Sequence, residues 1–353
     1  MMKSLKVELH HLNDVRKIIA EKQLMNMDYK IKTEKDYGYI PIKETTNETL
    51  IQEIKDTLQM PELEIKNTDT ELTPTKHYPK SITEALKGKL NNTEIENLKK
   101  SFDTIGDIVI LEIPEELEPE KEIIGESTLN FTKRKSIYMK KSPIEGVTRT
   151  RQLELIAGQD NPITIHKEHG TRLKLDVTEV YFSPRLATER KRVSDSVKTG
   201  EEILDMFCGI GPFPIVIAHN KPCEITSVDI NEYAIKYLKE NIELNKLKGT
   251  IHPICGDINQ VAKEQLLDKK FDRIIMNLPG TAYQFLDLAI KHTKNNGIIN
   301  YYEFSDSFGQ GIERLQEAAH KQNKNVEILT NRKVKSSSPG KWHVGIDAKI
   351  TEK

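Results

Sequence analysis

A chain of 353 residues, 37% hydrophobic and 30% charged, has the length for two or three domains with buried cores and the composition of a soluble globular protein. Its net charge of −1 argues nothing by itself about a polyanionic partner, and no apolar run approaches a membrane span. Met1-Met2-Lys3 does not lead into the apolar core of a signal peptide. Cys208, Cys223 and Cys255 form no C-x-x-C, so the expectation is buried thiols in a reducing cytoplasm, with neither disulfides nor a metal site.

In chain order, the first residues mix helical periodicity at Val15, Ile18 and Ile19 with a strand-like run from Tyr37 to Ile42. From about residue 60, Pro61, Pro74 and Pro79 among many Thr, Asn and Asp read as connecting chain. The expected organisation is a small module over 1–62 and a linker over 63–80. A middle α+β domain over 81–160 follows, opening with a capping box at Ser81 and Glu84 and containing a strand from Ile108 to Ile113 stopped by Pro114. Over 161–353 strands and helices alternate. Strands are expected at Ile163–Ile165, Leu173–Phe182, up to Asp205, Glu224–Asp229, 251–254, Arg273–Met276 and 297–304. Helices are expected after Pro212 and over 231–245, 258–267 and 282–292. The last 30 residues read as a hairpin turning at Ser338-Pro339-Gly340. This pattern predicts an α/β, mostly parallel, doubly wound sheet with an antiparallel end.

The densest signal lies in Leu204-Asp205-Met206-Phe207-Cys208-Gly209-Ile210-Gly211-Pro212-Phe213. A strand ending at Asp205, two glycines in a tight turn and Pro212 at the start of a helix would bring a cofactor against bare backbone. A dinucleotide fingerprint needs a third glycine where this chain has Pro214, which disfavours a nicotinamide dehydrogenase. The acidic residue four positions before Gly209, with Phe207 between, resembles the first motif of class I S-adenosylmethionine-dependent methyltransferases. Three further strand ends carry suitable groups. Asp229, followed by Ile230, can accept both ribose hydroxyls. Asp257 can accept from an adenine amino group, with Ile258 against the ring, and the Asn277 amide can reach cofactor or substrate. A non-catalytic RNA-binding module would not need this set.

Several longer stretches resemble the archaeal and eukaryotic tRNA (guanine-37-N1)-methyltransferase family over nearly the whole chain. They are Phe102-Asp103-x-Ile105-Gly106-Asp107, Arg149-Thr150-Arg151, Tyr181-Phe182-Ser183-Pro184-Arg185-x-x-x-Glu189-Arg190, Asn277-Leu278-Pro279, and Arg332-Lys333-Val334 through Pro339-Gly340-Lys341-x-His343-Val344. The resemblance implies a Rossmann-like class I catalytic domain preceded by two smaller α+β domains. It implies S-adenosylmethionine as cofactor and tRNA as partner, through the anticodon stem-loop and the distal tRNA fold, for a monomer. It further implies Glu189 as general base and Arg149 as donor to guanine O6. Arg185 would orient Glu189, Arg190 would contact the methionine part of the cofactor, and Tyr181, Asn277 and Pro279 would frame the guanine and the methyl group. Spacing then suggests that the Glu189 carboxylate sits between the Arg185 and Arg190 guanidinium groups. The alternative is a wyosine-pathway enzyme at the same tRNA position, adding carbon methylation or transferring an aminocarboxypropyl group.

Charge is segregated along the chain. Residues 112–126 carry seven glutamates against one lysine, and 132–151 are basic, from Lys133, Arg134 and Lys135 to Arg149 and Arg151. Further basic clusters are Arg185, Arg190, Lys191 and Arg192, and Arg332, Lys333, Lys335 and Lys341. Three such clusters around one cofactor site would grip phosphates. The run His166-Lys167-Glu168-His169 reads as a solvent-facing turn, His10-His11 as an edge, and Trp342 as core.

Overall fold

The computed structural model describes the chain apart from residues 45, 76–78, 144, 145, 147 and 148. Part of the expected linker, and part of the basic stretch 132–151, therefore lie outside the described residues. The chain divides into two units, Met1–Lys80 and Ser81–Lys353.

In the first unit, strands β1 (Met2–Glu8), β2 (Lys32–Thr33), β3 (Tyr37–Pro41) and β4 (Ile65–Thr70) form an antiparallel sheet in the order β2-β3-β1-β4. Helix α1 (Leu12–Glu21) turns Val15 and Ile19 inward, one helical turn apart, against Leu5, Val7 and Ile40. Helix α2 (Glu48–Leu58) starts where the Asn47 side chain accepts from the Leu50 N–H and ends at Gln59 in a left-handed conformation. The segment expected to be a linker from residue 63 corrects here. Residues Ile65–Thr70 pair with β1 from Val7 to Met2, so this sheet needs them. The polar run Lys66-Asn67-Thr68-Asp69 is an edge strand exposed at Lys66, Asn67 and Asp69, on both faces, which is why it reads as loop.

The second unit opens with α3 (Ile82–Leu86), capped by Ser81 Oγ, and α4 (Asn92–Asn97), whose Asn91 and Glu94 form a complete capping box. Strands β5 (Asp103–Ile105), β6 (Ile108–Leu111), β7 (Ser136–Lys140) and β8 (Leu153–Gly158), with α5 (Lys121–Thr132), enclose a core of Leu86, Val109, Leu111, Ile124, Ile137 and Met139. A hairpin of β9 (Ile163–Glu168) and β10 (Thr171–Asp176) follows. The expected strand to Phe182 stops at Asp176, whose Oδ1 accepts from the Thr178 N–H and hydroxyl. Residues 177–183 therefore leave the hairpin as loop.

Next come α6 (Ala187–Ser196), β11 (Glu202–Asp205), α7 (Pro212–Asn220), β12 (Glu224–Asp229), α8 (Glu232–Leu244), β13 (Thr250–Cys255), α9 (Ile258–Val261), β14 (Phe271–Met276), α10 (Leu286–His292), β15 (Thr293–Ser305), α11 (Gly309–Lys321), β16 (Lys324–Ser338) and β17 (Lys341–Glu352). The sheet order is β13-β12-β11-β14-β15-β17-β16, parallel through β15 and antiparallel at β17 and β16. This is a Rossmann-like α/β sheet whose strand order reverses between β11 and β14. Helix α7 is buried all round from Phe213 to Ala218, consistent with its unbroken apolar sequence. Helix α11 was not evident from the sequence: Gly309 and Gly311 open it, ahead of the buried stripe Leu315, Ala318 and Ala319. Trp342 is half-buried under the Lys333 ammonium, 4.6 Å from its ring centroid, and is not part of the core. Among the described residues no helix is long and apolar enough to cross a membrane, and no cluster suited to a metal ion occurs.

Candidate cofactor cavity and substrate groove

The carboxyl ends of β11, β12, β13 and β14 open onto one cavity. After β11 the chain turns through Gly209 and Gly211, both left-handed, at φ +54° and +85°. A Cβ at Gly211 would lie 2.3 Å from Leu238, whereas one at Gly209 would meet nothing within 4 Å. Gly211 is thus held to glycine by its left-handed backbone, with a Leu238 methyl close by, and Gly209 leaves backbone exposed to the cavity. Asp205 does not line it, a correction to its expected role as a cofactor contact. Its Oδ1 accepts from the Phe207 N–H at 3.2 Å, its Oδ2 is buried without a partner among the described residues, and burial pushes its pKa up to about 8. Asp205 shapes the loop from below.

Asp229 lines the cavity and joins two of its walls. Its Oδ2 accepts from the Gly209 N–H at 2.7 Å and its Oδ1 from the Asn231 N–H at 2.9 Å. A carboxylate has acceptor sites beyond these two bonds, enough for a ribose diol. Burial raises its pKa. Beside it stand Ile230, 43% exposed, and Ile258, with Phe207 stacked edge-on against Phe285 at 5.1 Å. These apolar surfaces suit a flat aromatic ring. Asp257 caps α9 through the Asn259 N–H and also faces the cavity, as does Asn277, whose Oδ1 is buried with no partner among the described residues. An orphaned acceptor on a cavity wall is a place for a ligand's donor. The residues present fit an adenosyl group.

The opposite wall is made by Tyr181, Phe182 and Ser183, by Pro279, and by Arg149. Arg149 has φ +58°, uncommon for a side chain of its size, and its guanidinium lies 5.2 Å from the Tyr181 ring centroid. Arg190 lines the cavity too, but it is fully buried. It bonds both Glu168 oxygens at 2.5 Å and donates to the Ser183 carbonyl at 3.2 Å. Glu168 is therefore an inward-facing partner and not part of a solvent-facing turn. Arg190 braces the cavity wall, holding loop 177–183 to the β9–β10 hairpin.

Glu189 departs furthest from expectation. It is 6% exposed and does not line the cavity, and its neighbours are not Arg185 and Arg190. It accepts from Arg192, from Arg332 on β16 and, at 2.6 Å, from the Tyr302 hydroxyl on β15. Burial would raise its pKa, but hydrogen bonds from Arg332, Arg192 and Tyr302 reverse that and hold it at about 2. Asp347 completes the cluster through both arginines and Asn300. Arg185 instead pairs with Asp103 at 2.6 Å, which removes it as the orienting partner of Glu189.

Arg149, Tyr181, Phe182, Ser183, Phe304 and Lys335 belong both to the cofactor cavity and to a neighbouring groove, which Lys140, Arg151 and Arg185 also line. Each of the three basic clusters sends members to this groove. Others are occupied otherwise: Arg190 in a buried ion pair with Glu168, Arg192 and Arg332, half-buried, against Glu189, Lys191 with Asp195, and Lys135 with Asp107 beside a separate groove. Phe304, Phe285 and His343 line the cavity without a role assigned from sequence, and Lys335 was expected only as a member of a phosphate-gripping cluster. His343 was visible only as part of the terminal motif.

Comparison with known proteins agrees with this geometry. Residues 164–329 match the TRM5/TYW2 methyltransferase domain, 82–161 the TYW2 N-terminal domain, and 4–50 the tRNA methyltransferase 5 N-terminal domain. The tRNA (guanine(37)-N(1))-methyltransferase Trm5b of Pyrococcus abyssi is 40% identical, over 99% of this chain and 100% of its own. A solved complex of aTrm5 with tRNALeu is 36% identical, covers 99% of both chains and superposes with a TM-score of 0.86. Methanocaldococcus jannaschii TYW2, solved with S-adenosylmethionine, is 29% identical over 72% of this chain and 100% of its own, with a TM-score of 0.56. The chain belongs to the TRM5/TYW2 methyltransferase family and carries the N-terminal domain of its Trm5 members.

Proposed function

We propose that this protein transfers the methyl group of S-adenosylmethionine to N1 of guanosine 37 in tRNA. One observation carries the reading: a cavity fitted to an adenosyl group at Asp229, Ile258 and Asn277 continues past Arg149 and Tyr181 into a groove lined by Lys140, Arg151, Arg185 and Lys335. A flipped nucleotide can then meet the cofactor while its neighbouring phosphates lie on cations. The match of residues 4–50 favours N1 methylation over the wyosine-pathway reactions.

The cofactor supplies a methyl group already activated by its sulfonium. The protein supplies alignment, charge and a route for the proton. Guanine N1 must lose its proton to become nucleophilic, and negative charge then grows on O6. Arg149 is the cation at the substrate wall for that oxygen. Glu189 is assigned as proton acceptor from its place in the stretch Tyr181–Arg190; its clamp keeps it ionised but a weak base until the clamp is released. Reaching the base requires that substrate binding loosen the hydrogen bonds from Arg332 or Tyr302. Arg185 and Arg190 hold the walls through Asp103 and Glu168. The enzyme acts as a monomer in the cytoplasm. The unit Met1–Lys80 reads the distal tRNA fold, while Ser81–Lys353 takes the anticodon stem-loop.

Incubating the protein with an unmodified tRNA transcript and S-adenosylmethionine, then mapping the nucleosides by mass, tests this. A single methyl on N1 of guanosine 37 is expected; methylation at another nucleotide or atom would overturn it.

A further inference from the structure

His343 is 2% exposed, yet neither of its ring nitrogens has a hydrogen-bond partner among the described residues. Buried polar atoms are nearly always paired, so two orphans on one ring call for an explanation. The ring is fixed between aromatic neighbours, edge-on to Tyr302 at 5.4 Å and to Phe304 at 5.6 Å, and it lines the cofactor cavity. Burial, helped by the Lys335 charge, keeps it neutral, so it carries one N–H donor and one acceptor.

Its surroundings describe a slot for a base. Phe304 is 37% exposed and faces both cavity and groove, as a stacking surface would. Arg149 and Lys335 can only donate, which suits the O6 side of a guanine. The other edge of guanine presents donors, N1–H and the 2-amino group, and needs acceptors. Asn277 Oδ1 is one unpaired acceptor, but it closes β14 beside the cofactor residues. His343, next to Phe304 on the substrate side, is a second.

Resting on the guanosine reading above, we propose that His343 accepts a hydrogen bond from the 2-amino group of the target guanine and thereby sets the choice of base. A tRNA transcript with inosine at position 37 differs only in lacking that amino group. Single-turnover methylation of the guanosine and inosine transcripts would be compared for the wild type, His343→Phe and His343→Gln. The wild type is expected to prefer guanosine by roughly tenfold or more, because a missing partner leaves a buried acceptor unpaired. In His343→Phe the guanosine rate should fall by about that factor and the inosine rate hardly at all, so that discrimination collapses. His343→Gln, which keeps an acceptor, should recover part of it.

Equal losses on both transcripts would overturn the proposal and leave His343 a packing residue. A fall in S-adenosylhomocysteine affinity in His343→Phe would also overturn it, moving the ring to the cofactor side. A wild type that methylates neither transcript would mean that the guanosine reading itself had failed, and this role with it.

Discussion

Arg332 on β16 and Glu189 on α6, 143 residues apart, are joined by three hydrogen bonds. They tie the helix that follows the cavity loop to the antiparallel end of the sheet. A carboxylate held at about 2 against an ordinary 4.5 is more acidic folded than unfolded. Its contribution is fully present above about pH 4.5 and is lost as pH falls from there towards 2. The shift corresponds to about 3 kcal/mol. Urea unfolding between pH 2 and 6 should show wild-type stability falling through this window and Glu189→Gln falling less steeply. Parallel curves would contradict the clamp.

The same residue makes a kinetic prediction. Glu189→Gln keeps the shape and removes the basicity, so single-turnover methyl transfer should slow by about 10²–10⁴-fold with little change in tRNA or cofactor affinity. Raising the pH should partly rescue it, because deprotonation of guanine N1 in solution replaces the lost base. Arg149→Ala should also slow transfer, without that rescue. A near-normal rate for Glu189→Gln at neutral pH would move the proton acceptor to another group.

Asp229 holds the glycine loop and faces the cofactor cavity. Asp229→Ala should weaken S-adenosylmethionine binding ten- to a hundredfold, from the loss of about 1.5–3 kcal/mol in charge-assisted hydrogen bonds. Calorimetry on the folded variant checks this; unchanged affinity would remove Asp229 from the site.

What the sequence disclosed, and what it hid, follow from how local each feature is. Gly209, Gly211, Asp229, Asp257 and Asn277 sit at strand-to-helix junctions, where turn chemistry, capping and cofactor contact fall within a few residues. The distant partners of Glu189 do not. Tyr302 and Arg332 come from β15 and β16, and Asp347, which shares Arg332 with Glu189, from β17, and only the sheet order brings them to α6. Nearest-neighbour spacing therefore pointed to Arg185 and Arg190, which the fold gives to Asp103 and Glu168. His343 escaped for a related reason: a histidine in an alternating strand looks the same whether its ring nitrogens are satisfied or not.

The pairing of β4 with β1 decides where a truncation should fall. Cutting at residue 60 would leave Ile65–Thr70 as an unpaired strand, whereas a chain beginning at Ser81 removes a whole unit. This shorter chain should bind cofactor normally, bind full tRNA more weakly, and methylate an anticodon stem-loop as well as the full protein does. Equal use of full tRNA by both chains would end the assignment of a tRNA-reading role to residues 1–80.

Arg151 lines the groove but not the cofactor cavity, so its effect on tRNA can be separated from the chemistry. If it neutralises a phosphate, Arg151→Ala should weaken tRNA binding and reduce the slope of log affinity against log salt by about 1. Cofactor affinity and the single-turnover rate at saturating tRNA should stay unchanged, because no reacting atom loses a partner. The Lys133/Arg134/Lys135 triple alanine tests whether the footprint extends further, since Lys135 borders a second groove with Lys167, Arg172 and Lys174. Its slope should also flatten. Filter binding at several salt concentrations measures both variants, and an Arg151→Ala slope equal to that of the wild type would exclude this groove from the phosphate path.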